Sequence, residues 1–234
     1  MKKASLEQFI NRYNLGGEVE SVKITSSDSE MKVSFISDDK TLLGEVTSKE
    51  GEFPNGEFGV YTTSQLKALL GVLESSMDVD STESYIKFSD KGTSVNYMLA
   101  DLSVIPVVPD LKAVPPMNVQ ITLDDDFTSK FIKSKGALSE SDTFTFECKN
   151  NNGEIILGYS SINTNRVTIP VETITNDLTD PVSFNANLFK EVLTANKECT
   201  SAVLEVSNEG LARVNFKIDD YDSTYHIVAT QDVD

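Results

Sequence analysis

Little in this chain is equipped for catalysis. Its 234 residues include one histidine, His226, and two cysteines, Cys148 and Cys199. A single imidazole makes any Ser-His-Asp pattern a coincidence, and neither standard glycine-rich phosphate loop occurs. The cysteines stand outside any CxxC pair and read as buried, reduced thiols. Together with His226 they are too few for a zinc site. The run Asp124-Asp125-Asp126 offers the oxygen ligands that a divalent cation takes. Clustered aspartates just before an apolar helical pattern more commonly cap the helix and face the positive end of its dipole, and that reading is adopted. The chain is therefore read as a non-enzyme with no cofactor and no metal.

The remaining chemistry is electrostatic. Asp and Glu outnumber Lys and Arg by 37 to 20, for a net charge of −17. Taken as a sum, that opposes phosphate binding, which rests on neutralisation by Lys and Arg. Distribution decides the matter, because a protein negative outside can still present one positive face. What counts is which elements carry the basic residues.

Four segments have helical apolar spacing. Ser5–Tyr13 places Leu6, Phe9, Ile10 and Tyr13 on one face, and Thr63–Leu73 does the same with Leu66, Leu69, Leu70 and Leu73. Asp126 to about Lys135 carries Phe127 and Phe131, and Asn187–Ala195 carries Leu188 and Val192. The leading residues Leu6, Leu66, Phe127 and Leu188 follow one another at intervals of 60, 61 and 61 residues, each with an apolar partner four positions on. That regularity marks one unit repeated four times. Between the helices the pattern alternates as in antiparallel strands. Examples are Val19–Thr25, Met31–Ser37, Leu42–Thr47, Glu57–Tyr61, Tyr85–Ser89, Thr93–Leu99 and, near the end, Leu211–Ile218 and Thr224–Thr230. Turns are expected at Asp90-Lys91-Gly92 and Asn150-Asn151-Asn152-Gly153.

The segment Ile105–Pro116 holds four prolines in twelve residues, a composition that favours an extended connector. It divides the chain into domains at 1–104 and 117–234, joined by the linker 105–116. The expected fold is α+β, two tandem similar domains, each with two helices and antiparallel sheets.

Advancing about 100° per residue from each leading apolar residue, Arg12, Lys133, Lys190 and Lys197 point away from the core, the last if its helix runs that far. Lys67, Lys130 and Lys135 flank the apolar stripe, where long stems can snorkel. Lys2 and Lys3 immediately precede the first helix. All four helices thus carry basic residues, whereas acidic ones such as Asp28, Glu30, Asp38, Asp39, Glu50, Glu52, Asp219, Asp220 and Asp222 gather in strands and turns. If the helices share a face, it is positive on a negative protein. So few cations give weak, sequence-independent phosphate contacts. Contacts of that kind retain DNA only when the protein surrounds it. A β-rich structural virion or adhesion protein of tandem domains would share the acidity and the lack of catalysis, but would not need four evenly spaced helices with basic faces.

The stretch Val60-Tyr61-Thr62-Thr63-Ser64-Gln65-Leu66-Lys67-Ala68-Leu69-Leu70-Gly71-Val72-Leu73, then Tyr85-Ile86-Lys87-Phe88-Ser89-Asp90, the proline-rich linker, and the closing Asn215-Phe216-Lys217 to Tyr225-His226-Ile227-Val228 resemble the sliding clamps of tailed bacteriophages, relatives of proliferating cell nuclear antigen. The resemblance implies a DNA-clamp fold with helices lining a hole and sheets outside. It implies a homotrimer closed head to tail around double-stranded DNA, with a DNA polymerase and a clamp loader as partners. It also implies a partner-binding pocket by the linker, for which Val107, Val108 and Leu111, with Leu43, Ile227 and Val228, are the candidates. No apolar run approaches a membrane span and no signal peptide precedes the first helix, so no membrane role and a cytoplasmic location, in a host cell if the protein is viral, are expected.

Overall fold

The apolar quartet Leu6, Phe9, Ile10 and Tyr13 forms the inner face of helix α1 (Lys3–Asn14). Each of the four is completely or almost completely buried. Helix α2 (Thr63–Leu70) follows the same logic with Leu66 and Leu70. Helices α3 (Asp125–Ala137) and α4 (Ala186–Ala195) bury Phe127 and Phe131, and Leu188, Phe189, Val192 and Leu193. In the computed structural model, which describes residues 1–28, 30–49, 52–111, 113–149, 152–160, 164–199, 201–218 and 220–230, these helices belong to two units. The first is Met1–Pro109 with Asp219–Ser223, and the second is Asp110–Ile218 with Thr224–Asp234. The division falls between Pro109 and Asp110, inside the proline-rich segment.

In the first unit, β1 (Val22–Ser27), β2 (Glu30–Ile36), β3 (Leu42–Ser48) and β4 (Gly56–Val60) pair antiparallel in the order β3-β2-β1-β4. A second sheet joins β5 (Asp78–Ser81), β6 (Tyr85–Asp90) and β7 (Thr93–Met98). Strict alternation turns Val22, Ile24, Met31, Val33, Phe35, Leu42 and Val46 inward. It leaves Lys23, Thr25, Lys32, Ser34, Leu43 and Glu45 on the outer face, because successive side chains of a strand point to opposite sides. Gly44 faces Phe35 across β2 and β3. A Cβ there would collide with the Phe35 ring, which explains a glycine inside a strand.

In the second unit, β8 (Val119–Asp124), β12 (Thr173–Asn176), β14 (Ser201–Val206), β15 (Leu211–Ile218) and β16 (Tyr221–Val228) pair in the order β12-β8-β14-β15-β16. The other sheet runs β11-β10-β9-β13, from β9 (Thr143–Lys149), β10 (Asn152–Leu157), β11 (Val167–Val171) and β13 (Val182–Asn185). Its core centres on phenylalanines. Phe131 stands edge-on to Phe189 and Phe144 with ring centres 4.9 and 5.3 Å apart, and Phe144 stacks on Phe189 at 4.7 Å. Each such side chain contributes about 1.5–3 kcal/mol by leaving water, and offset or edge-on pairing adds to that.

The fold is thus α+β, with two helices and antiparallel sheets in each unit. The sequence pattern missed β5, β8, β12 and β13. Three of these have only four residues, too few for alternation to register, and β5 carries Asp78 and Asp80, residues depleted in strands. The turn expected at Asn150–Asn151 lies outside the described residues. Among the described residues, no helix is long and apolar enough to cross a membrane.

Candidate nucleic-acid and partner interfaces

Local chemistry sets the starts of three helices. The Asp124 carboxylate accepts from the Phe127 amide at 2.7 Å, and the Asn185 side chain accepts from the Leu188 amide at 2.9 Å. Both are N-caps, so Asp124 is engaged in capping, and among the described residues no group of three or more His, Cys, Asp or Glu is arranged to hold a metal ion. Helix α2 is capped differently. Thr62 makes no side-chain cap. Instead the Glu20 carboxylate accepts from the Ser64 amide at 2.9 Å, and the Glu20 carbonyl accepts from the Thr63 amide at 3.0 Å and its hydroxyl at 2.8 Å. A carboxylate at the positive end of the helix is favourable. It also ties α2 to the chain leaving α1, beside which α2 packs.

Helices α3 and α4 likewise lie side by side, and the basic residues assigned to the helices divide into three groups. Lys2, Lys130, Lys133 and Lys197 are exposed. Lys130 pairs with Asp126 at 2.5 Å, one helical turn back. The hydrogen bond and charge of Asp126 hold the Lys130 ammonium above its ordinary pKa, so it stays charged at any physiological pH. Lys3, Lys67 and Lys190 are half-buried. Lys3 donates to the Leu73 carbonyl at 3.0 Å, Lys67 to the Asn14 side chain at 3.3 Å, and Lys190 pairs with Glu191 at 2.9 Å.

Arg12 and Lys135 form the third group and correct the sequence reading. Arg12 was expected to point outward, but it is 1% exposed. Its guanidinium lies over the Tyr221 ring, which belongs to the same unit through the segment Asp219–Ser223. Lys135 is 4% exposed, and its ammonium is committed to the Ser139 carbonyl at 2.8 Å, just past the end of α3. Neither side chain presents charge to solvent. Lys197 is exposed but not helical, since α4 ends at Ala195 and Asn196 is its C-cap.

The linker candidates also separate. A groove of about 410 Å³ in the first unit is lined by Leu102, Ile105, Pro106, Val107 and Val108 on one side and by Lys23, Thr25, Lys32 and Ser34 on the other. The chain reaches it by a defined route. The Ala100 amide donates to the Gly59 carbonyl on the edge of β4 at 2.9 Å, an approach that a Cβ on Gly59 would block. The Asp101 side chain then caps the 3-10 turn Leu102–Val104 by accepting from the Ser103 amide at 2.8 Å. Hydrogen bonding by the Ser103 side chain, and then by its amide, holds the Asp101 carboxyl below its ordinary pKa. Ile105 is buried and anchors the segment, while Val107 is 91% exposed. Leu43 lies on the same outer sheet face, paired with Ile36, but does not line the groove.

Leu111 and Val228 are exposed. Ile227 is fully buried and is withdrawn as a partner contact. Along β16 it alternates inward with Tyr221, Ser223 and Tyr225, while Val228 turns out, since one residue along a strand exchanges faces. Lys23, Lys32, Leu102, Ile105 and Pro106 were not foreseen as groove residues. The alternation that places Lys23 and Lys32 on one face was readable, but the return of the chain along Gly59 was not.

Neither a scan of protein-family models nor a search of curated proteins finds a match to this sequence. Solved structures do match. Proliferating cell nuclear antigen from Entamoeba histolytica superposes with a TM-score of 0.76 at 13% identity, covering 99% of this chain and 97% of that one. A. fulgidus PCNA, in a structure with the C-terminal region of FEN-1 bound to it, gives 0.79 at 14% identity, covering 100% and 98%. This chain has the PCNA clamp fold. At such low identity the likeness speaks for the clamp fold alone, so the roles of the helix lysines and of the linker groove rest on their chemistry.

Proposed function

We propose that this protein is a sliding clamp that acts in the cytoplasm, of the kind found in tailed bacteriophages. Three copies close head to tail around duplex DNA and tether the replicative DNA polymerase, after a clamp loader opens the ring. The observation that carries the reading is the PCNA clamp fold along essentially the whole chain. Chemistry supports it. The exposed cations on and beside the helices, Lys2, Lys130, Lys133 and Lys197, are lysines, point charges that position on phosphates without reading bases. They are too few to hold DNA against salt, since each phosphate contact contributes only about −0.9 to the salt slope. On a chain of net charge −17, enclosure is the arrangement in which such weak contacts suffice.

Assembly is supported by an unguarded sheet edge. Strand β7, Thr-Ser-Val-Asn-Tyr-Met, is an outer strand of its sheet, carries neither charge nor proline, and ends on Met98, 65% exposed. Monomeric proteins usually protect such an edge with charges or proline, as β5 on the far side of the same sheet does with Asp78 and Asp80. A head-to-tail contact that uses β7 on one copy and a different edge on the next closes into a ring when the rotation permits.

Light scattering tests the assembly. The reading predicts a particle of about three times the chain mass of 25.7 kDa, and Asn96→Pro in β7 shifting it toward the single-chain mass. A single-chain mass at every concentration would count against the ring.

A further inference from the structure

We propose that the groove beside the linker selects partner tails in which apolar anchors are flanked by acidic side chains, and that Lys23 and Lys32 recognise those acids. The inference rests on the reading of this groove as the partner site and goes beyond it in assigning the chemistry of the tail.

One wall is apolar. Leu102 is 40% exposed and Val107 still more so, while buried Ile105 anchors that wall and Pro106 lines it. The opposite wall belongs to the outer face of β1 and β2 and carries two ammonium groups. The register pairs Lys23 with Ser34 and Thr25 with Lys32, so the lysines sit diagonally on adjacent strands, close enough for neighbouring side chains of one peptide to meet both.

Each lysine already has an intramolecular partner. Lys23 pairs with Glu57 at 2.8 Å and Lys32 with Glu45 at 2.9 Å. Both pairs are about half exposed, and ion pairs in that setting are easily exchanged. Glu57 and Glu45 do not line the groove. A carboxylate arriving with the tail can therefore displace them, and they hydrate where they stand. In the absence of a tail they hold the ammonium groups in place. The net charge of −17 repels acidic peptides from the protein at large, so capture at these two cations gives discrimination through a hostile background.

The experiment is fluorescence anisotropy with the intact protein and labelled synthetic peptides that share two leucine-phenylalanine anchors. One peptide is flanked by aspartates, and its twin by asparagines. The aspartate peptide is expected to bind about tenfold more tightly at low salt. That advantage should shrink as salt is raised and vanish in a Lys23→Gln, Lys32→Gln variant. Equal binding of the two peptides to the unaltered protein would overturn the acidic preference while leaving the groove as a partner site. Failure of both peptides to bind would overturn both readings.

Discussion

The Arg12 guanidinium lies 4.1 Å over the centre of the Tyr221 ring. The Tyr221 hydroxyl in turn donates to the Ser5 carbonyl at 3.0 Å, so one tyrosine fastens α1 at two points. Removing a buried guanidinium from an aromatic face forfeits both the cation–π attraction and the packing of its stem. Arg12→Ala is expected to destabilise the protein by about 2–4 kcal/mol in urea unfolding. Wild-type stability in that variant would show that the stacking contributes nothing.

Alternation along β16 makes a paired prediction. Ile227→Ala removes a fully buried side chain and should cost about 2–5 kcal/mol. Val228→Ala, one residue on and exposed, should change stability by less than about 0.5 kcal/mol. The same two variants measured side by side check the strand register, which fails if their costs are similar.

His226 supplies a pH dependence. Its pKa is lowered from 6.5, first by burial and then by the nearby charge of Arg213, with Glu205 opposing. The unfolded chain therefore takes up a proton at higher pH than the folded one. The stability linked to a neutral His226 is fully present above 6.5 and is lost as pH falls through the lower folded value. His226→Gln should flatten the stability profile as pH falls below about 6.5. Superimposable profiles for the two proteins would remove His226 from the account.

The linker route can be broken at one glycine. Gly59→Ala places a methyl group against the Ala100 carbonyl and should lift the segment that leads to Val107 and Val108. Tail peptides should then bind at least about tenfold more weakly, while the helical signal in circular dichroism persists. Undiminished affinity would mean that the groove does not depend on the Gly59–Ala100 contact.

The helices were legible because each carries its apolar residues at helical spacing, and a cap from Asp124-Asp125-Asp126 was legible because that run immediately precedes Phe127 and its pattern. The fates of Arg12 and Ile227 were not. Arg12 is covered by Tyr221, more than two hundred residues away in sequence, and a helical wheel contains no such partner. Ile227 and Val228 differ by a single step of strand register, which an apolar pair does not reveal. The cap of α2 escaped for the same reason as Arg12. Glu20 reaches Ser64 from forty-four residues upstream, where local capping rules point only to Thr62 or Thr63.

Enclosure of DNA is the central claim, and topology tests it most directly. The protein is loaded on nicked circular DNA by its cognate loader, washed in moderate salt, and the retained fraction is compared before and after the circle is cut once. The account predicts stable retention on the circle and loss on cutting, and faster loss under salt for Lys130→Glu, Lys133→Glu. Equal retention on circular and linear DNA would contradict it, because a protein that grips DNA does not notice an end.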